Sequence, residues 1–106
     1  MRLSTHVLDA MSGKPAADVT VTLTDHGGEC LAVASTDDDG RIAQLGDDLP
    51  AGVYRLHFDT GAYFATLGVA TFYPEVIVAF EVTDAGGKYH VPVLLSPFAY
   101  STYRGS

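Results

Sequence analysis

Apolar and polar residues alternate with a period of two along much of this chain. The pattern is clearest from Val19 to Thr24, where valine and leucine alternate with threonine, and from Val53 to Phe58. A strand with one buried face has this period, because successive side chains point to opposite sides of a sheet. The residues predicted to face inward are Val19, Val21, Leu23, Tyr54, Leu56 and Phe58.

Five further segments are rich in β-branched and apolar residues, which favour strands. They are Leu3–Leu8, Cys30–Thr36, Arg41–Leu45, Glu75–Val82 and Tyr89–Leu95. Turn-forming sequences such as Asp38-Asp39-Gly40 and Ala85-Gly86-Gly87 separate the segments. Seven or eight short strands at this spacing predict an all-β fold, a two-sheet β-sandwich.

Two places depart from this pattern. Thr60–Leu67 follows Asp59, a possible N-cap, and is followed by Gly68, a possible C′ residue, so we expect one short helix there. Pro92 lies inside the Tyr89–Leu95 segment and cannot donate to a strand ladder, which predicts a bulge or an edge at that position.

Length and composition limit the class of protein. A chain of 106 residues supports one core, so we expect a single domain over residues 1–106. Thirteen acidic against six basic residues give a formal charge of −7, which argues against nucleic acid and anionic membranes as partners. The longest uncharged windows have 15 residues, whereas a bilayer helix needs about 20.

Cysteine usage and the first residues indicate the compartment. Cys30 is the only cysteine, so no internal disulfide is possible and a four-cysteine zinc site is excluded. The residues from Met1 to His6 contain no apolar stretch typical of an export signal. We therefore expect a reducing, cytoplasmic setting.

Most motifs that carry chemistry are absent, including G-x-S-x-G, Walker A and H-E-x-x-H. The run Asp37-Asp38-Asp39-Gly40 allows two interpretations. A calcium loop would need acids at alternate positions and a glutamate twelve residues from its start, but position 48 is Asp48. The favoured interpretation is a solvated hairpin turn with Asp-Gly at its tip.

Two of the four histidines, His6 and His90, lie within predicted strands. A lone strand histidine is more often a surface or hydrogen-bonded residue than a catalyst, and His26 and His57 are interpreted in that structural way. A zinc site from His6 and His90 would need at least one further ligand, which no local spacing indicates. We therefore predict no metal ligand.

The last eighteen residues combine a strand with an aromatic, polar segment. The strand turns at Ser96-Pro97, and an alternating segment follows that contains Tyr100 and Tyr103. Two interpretations remain open for the end of the sequence: a frayed end, or part of a site in which Ser106 supplies its hydroxyl and a carboxylate.

Several motifs together resemble the 5-hydroxyisourate hydrolases, the transthyretin-related enzymes of purine breakdown. They are Ser4-Thr5-His6-Val7-Leu8-Asp9, Thr36-Asp37-Asp38-Asp39-Gly40-Arg41, Tyr89-His90-Val91-Pro92 and Tyr103-Arg104-Gly105-Ser106. The resemblance covers essentially the whole chain. It implies a transthyretin-like sandwich of eight strands with one short helix, assembled as a homotetramer that is a dimer of dimers.

The resemblance also implies a reaction and a set of site residues. The reaction is hydrolytic opening of the six-membered ring of 5-hydroxyisourate to 2-oxo-4-hydroxy-4-carboxy-5-ureidoimidazoline, with no cofactor. By motif, the catalytic residues are His6, Arg41, His90 and Ser106, and Tyr103 and Arg41 contact the substrate. These side chains suit the chemistry, because opening a cyclic amide needs an activated water and stabilisation of an oxyanion. Which histidine accepts the proton stays open at this point.

Two other classes of protein share this predicted fold. One is a non-catalytic module whose channel holds a small aromatic or hydrophobic ligand, as transthyretin does. The other is a structural or adhesion-type sandwich. The combination of His6, Arg41, His90 and the final Tyr-Arg-Gly-Ser favours the enzyme.

Overall fold

The computed structural model describes residues 1–106 as a two-sheet β-sandwich with one short helix. The strands are β1 (Arg2–Asp9), β2 (Lys14–Pro15), β3 (Thr20–Asp25), β4 (Cys30–Ser35), β5 (Arg41–Ile42), β6 (Gly52–Phe58), β7 (Val76–Val82), β8 (Lys88–Ser96) and β9 (Ala99–Thr102), and the helix is α1 (Thr60–Thr66).

The first sheet has the order β2-β1-β8-β9, and β5 pairs with β1 on the edge that β2 also occupies. The second sheet has the order β4-β3-β6-β7. Every pairing is antiparallel except that of β1 with β8, which is parallel. A strand near the start of the chain therefore lies beside one near its end.

The core fills the space between the two sheets. All six residues predicted to face inward are buried, and they join a core cluster with Leu3, Val7, Val91, Val93 and Leu95 of the first sheet. Odd-numbered residues of β1 point into this core, while Ser4 and His6 point to the opposite face. The predicted alternation is confirmed, and it fixes which side chains reach the outer face of the first sheet.

The predicted helix is also confirmed. It ends in a Schellman motif, in which Val69 N–H donates to Phe64 O (3.0 Å) and Gly68 N–H donates to Ala65 O (3.1 Å), with Gly68 at φ +69°. Asp59 occupies the N-cap position, but its side chain makes no capping hydrogen bond. No helix here combines the length and the apolar character that crossing a bilayer requires.

The strands differ from the prediction in three places. The Arg41–Leu45 segment is a strand only over Arg41–Ile42, because its pairing with β1 then leaves the register in which Thr5 faces Ile42: Leu45 N–H donates to Leu3 O at 2.9 Å, one residue out of step. The short strands β2 and β9 were not predicted as strands, so the structure has nine. Both lie at the edges of the first sheet, and they are strands because they pair with β1 and β8; their composition alone does not indicate a strand.

Candidate active site

Strand pairing brings three of the predicted site residues to one face of the first sheet. His6 on β1 lies directly opposite Arg41 on β5. On the other side of β1, Ser4 is the register partner of His90 on β8. Since side chains opposite one another in a sheet lie on the same face, the outer face carries two imidazoles, a guanidinium and a hydroxyl side by side.

His90 is held at both its backbone and its ring. The Nδ1 atom lies 2.8 Å from Ser4 Oγ, and the His90 carbonyl accepts the Gly105 N–H at 2.8 Å. Partial burial lowers the pKa of His90 below its ordinary 6.5, and the positive charge of Arg41, together with that of His6 when His6 is protonated, lowers this pKa further. At neutral pH this ring is therefore uncharged and retains a lone pair.

His6 makes its hydrogen bond to a main-chain carbonyl. Its Nε2 lies 2.9 Å from Asp39 O, and since a carbonyl oxygen only accepts, Nε2 carries the hydrogen. No hydrogen bond within the chain engages His6 Nδ1. The Arg41 side chain opposite is exposed, and only the Arg41 backbone is hydrogen bonded within the chain.

The acidic run forms the turn that supports Asp39 and Arg41. Asp37 Oδ1 accepts the N–H groups of Asp39 and Arg41, each at 2.9 Å, and Gly40 N–H donates to Asp37 O at 2.9 Å. The Gly40 carbonyl accepts the Val7 N–H at 2.7 Å, which fastens the turn to β1. The turn interpretation is therefore supported, although the turn joins strands of different sheets instead of closing a hairpin between paired strands.

The segment after β9 returns to His90. Gly105 forms an isolated bridge with His90, and a Cβ placed on Gly105 would lie 2.5 Å from His90 Cδ2. This contact explains a glycine at position 105, because any side chain would displace the imidazole. The backbone of Gly105 therefore forms one wall of the His90 environment.

Tyr103 and Arg104 are exposed next to this bridge, and the Arg104 guanidinium lies 4.6 Å from the centre of the Tyr89 ring, a cation–π contact. A cleft of about 240 Å³ lies between β7 and this segment. His90 and Tyr103 both line the cleft, while His6 and Arg41 lie outside it.

The side chain of Ser106 is exposed and makes no hydrogen bond within the chain, one residue beyond the bridge between His90 and Gly105.

Sequence reasoning identified His6, Arg41 and His90 but assigned no role to three of their supports. These are the Ser4 hydroxyl, the Asp39 carbonyl and the Gly105 backbone. Alternation places Ser4 on the same face as His6, a signal that could have singled it out. The other two depend on long-range pairing, which no local pattern encodes.

The remaining histidines lie elsewhere. His57 is on the second sheet, with its Nε2 3.7 Å from Glu75 Oε2, and the His26 carbonyl accepts a hydrogen bond from Arg55. No group of three or more His, Cys, Asp or Glu residues is arranged so that it could hold a metal ion.

Comparison with known proteins places this geometry in a family. A sequence model described as the HIUase/transthyretin family matches residues 3–105. A 5-hydroxyisourate hydrolase of Salmonella dublin is 47% identical over 109 aligned positions, which span 98% of this chain and 80% of that protein. The solved structure of the Klebsiella pneumoniae 5-hydroxyisourate hydrolase superposes with a TM-score of 0.93 at 43% identity and full coverage of both chains.

Transthyretin from Sparus aurata shares the fold as well, with a TM-score of 0.90 at 35% identity, covering 97% of this chain and 95% of that one. The family model and these relatives extend over the sheet pairings and the segment around Gly105 alike. The chain belongs to the HIUase/transthyretin family.

Proposed function

We propose that this chain is a 5-hydroxyisourate hydrolase, an enzyme of urate degradation that opens the six-membered ring of its purine-derived substrate. Relatives named for this activity match nearly the whole chain at 41–47% identity. The observation that carries the proposal is the placement of His6, Arg41 and His90 on one sheet face, with His90 kept neutral.

The arrangement suits hydrolysis of a cyclic amide. A neutral imidazole can accept a proton from water near pH 7, which is typically worth about 10²–10⁴ in rate. The Arg41 guanidinium has no partner in the chain, so its planar set of donors is available to the substrate carbonyl and to the oxyanion that forms there. No cofactor is needed for these steps.

We assign Ser106 and Tyr103 to the same pocket. Ser106 directly follows the Gly105 bridge to His90 and Tyr103 lies two residues before it, so both side chains belong to the segment that contacts His90. In this scheme the Ser106 hydroxyl orients substrate or water, and Tyr103 forms the pocket mouth. The exposed position of both side chains leaves them free to do so.

The pocket is completed by other copies of the chain in a homotetramer. The outer face that carries the site is open in one chain, and the exposed aromatic side chain of Tyr103 lies two residues from the Gly105 bridge to His90. A facing copy would exclude bulk solvent from the site, which strengthens the electrostatic interactions there while the reacting water stays bound. Residues 1–106 act as one domain in this assembly, and the single Cys30 favours a reducing, cytoplasmic setting.

The test generates 5-hydroxyisourate from urate in situ and follows its absorbance decay with and without the protein. We expect acceleration that is lost in His6→Asn and His90→Asn. His57→Asn is the matched control, because His57 lies on the other sheet. No acceleration by the native protein would contradict the proposal.

The same measurement separates the enzyme from a ligand carrier of the transthyretin kind, which would bind small molecules without accelerating the decay.

The homotetramer is tested by measuring specific activity on dilution, with sedimentation in parallel to determine the oligomeric state. Full specific activity in a verified monomer would contradict a pocket shared between copies.

A further inference from the structure

The Asp37–Arg41 turn fixes which nitrogen of His6 carries the hydrogen. A neutral imidazole has one N–H and one lone pair, and the two tautomers are close in energy unless a neighbour selects one. Asp39 O lies 2.9 Å from His6 Nε2 and accepts the hydrogen there. The lone pair therefore lies on Nδ1, which no group of the chain occupies.

His90 is placed differently. Its Nδ1 atom faces the Ser4 hydroxyl at 2.8 Å, and a hydroxyl can either donate or accept, so this contact selects no tautomer by itself. Of these two histidines, only His6 has a hydrogen bond that selects its tautomer and leaves the other ring nitrogen without a partner in the chain.

From this geometry we infer that His6 Nδ1 is the general base and that Asp37 is the positioning residue that makes it so. The inference rests on the proposed hydrolase function. Asp37 does not touch the ring. Its Oδ1 accepts the N–H of Asp39, which precedes the Asp39 carbonyl, and the N–H of Arg41, which follows it. These two hydrogen bonds orient the carbonyl toward His6 Nε2.

The proton and electron balance follows from this assignment. Water transfers a proton to His6 Nδ1 as its oxygen bonds to the ring carbonyl carbon, and the carbonyl π pair moves to oxygen beside Arg41. When the oxyanion re-forms the carbonyl, the C–N bond breaks and its electron pair goes to nitrogen. That nitrogen takes the proton from the imidazolium, which restores neutral His6.

Charged and titratable groups surround His6 on every adjacent element. Arg41 lies on β5, His90 on β8, and Asp37 and Asp39 in the turn. Removal of a turn carboxylate therefore changes charge as well as hydrogen bonding, so the test needs a variant that separates the two. Asp38 provides it, since its carboxylate lies in the same turn and accepts no hydrogen bond within the chain.

The first measurement uses the native protein labelled with ¹⁵N-histidine. Two-bond ¹H–¹⁵N correlation spectra at neutral pH should show His6 with a protonated Nε2 and an unprotonated Nδ1. The opposite tautomer would overturn the inference even if the native enzyme is fully active. Absence of hydrolysis by the native protein would instead refute the proposed function and leave the tautomer result standing.

The second measurement compares kcat and KM among three variants. Asp37→Ala should lower kcat on the order of 10-fold, part of what a whole general base contributes, with little change in KM and with both His6 tautomers populated. Asp37→Asn retains an acceptor oxygen and should recover most of kcat, and Asp38→Ala should match the native enzyme. Equal kcat in Asp37→Ala and Asp38→Ala, or an unchanged tautomer in Asp37→Ala, would overturn the positioning role.

Discussion

Replacement of Gly105 by alanine should reduce turnover while leaving the fold intact. The added Cβ would lie 2.5 Å from His90 Cδ2, 3.2 Å from its Cγ and 3.3 Å from Pro92 Cγ. The backbone of Gly105 is not in the left-handed region, so alanine is compatible with its conformation. The effect of this substitution is therefore steric, with its closest contact on the His90 imidazole and a weaker one on Pro92.

The size of the effect follows from the contact. Carbon atoms in ordinary contact are about 3.5–4.0 Å apart, so either the imidazole or the 105 backbone must move by roughly 1 Å. A displacement of about 1 Å in a catalytic group can lower the rate about 10²-fold. If the 105 backbone moves, it loses at most its one hydrogen bond to the sheet, so the free energy of unfolding should fall by about 1 kcal/mol.

The assay is kcat for Gly105→Ala alongside Gly86→Ala. Gly86 is also outside the left-handed region, and its added Cβ would lie 3.6 Å from Asp84 Oδ1, an ordinary contact. We expect a kcat loss near 10²-fold in the first variant and native kcat in the second, with similar urea midpoints. Native kcat in Gly105→Ala would show that the position of the His90 ring does not limit catalysis.

Three further results are expected. Tyr63→Phe removes the 2.8 Å hydrogen bond to the buried Asp9 carboxylate; burial, followed by this contact, raises the pKa of Tyr63 to about 12. Urea denaturation should show a loss of about 1–3 kcal/mol, and a change below about 0.5 kcal/mol would contradict this account. Arg41→Gln should raise the pKa of His90 toward 6.5 in an NMR titration, because a positive neighbour is removed; a pKa that stays put or falls would refute that electrostatic link. Deletion of Arg104–Ser106 should abolish turnover with the β-sheet circular dichroism spectrum retained, and an active truncated enzyme would exclude a role for the segment.

The direction of the pH response follows from the lowered pKa of His90. Its pKa is lower in the folded chain than in the unfolded one, so below about pH 6.5 the unfolded chain binds more protons. His90 therefore lowers the free energy of unfolding as the pH falls from about 6.5 through its folded-state pKa. Above about pH 6.5 it has no effect on that free energy. Activity should also decline in mild acid, because an imidazole that is already protonated accepts no proton from water.

The local sequence pattern predicted the strands and the helix of this fold much better than it predicted which strands pair with one another. Alternation identified the buried faces of β3 and β6, because one residue in two must enter the core whichever strands pair. Nothing local indicated that β5 would shrink to two residues and lie opposite His6, or that β1 and β8 would pair in parallel. The site depends on those two pairings, so its residues were selected by resemblance to a family, and only their geometry shows how Ser4 and Asp39 support them.

Pro92 links the strand pattern to the site. The pairs Val93–Thr102 and His90–Gly105 belong to one register, in which Pro92 would lie opposite Tyr103. Pro92 has no N–H to donate, and its carbonyl instead accepts the Thr102 hydroxyl at 2.8 Å. The ladder therefore ends at Thr102 and resumes for one bridge at Gly105. A continuous ladder would have fixed Tyr103 as part of a regular strand, whereas the interruption holds the segment against His90 at a single residue and leaves the tyrosine free to border the cleft.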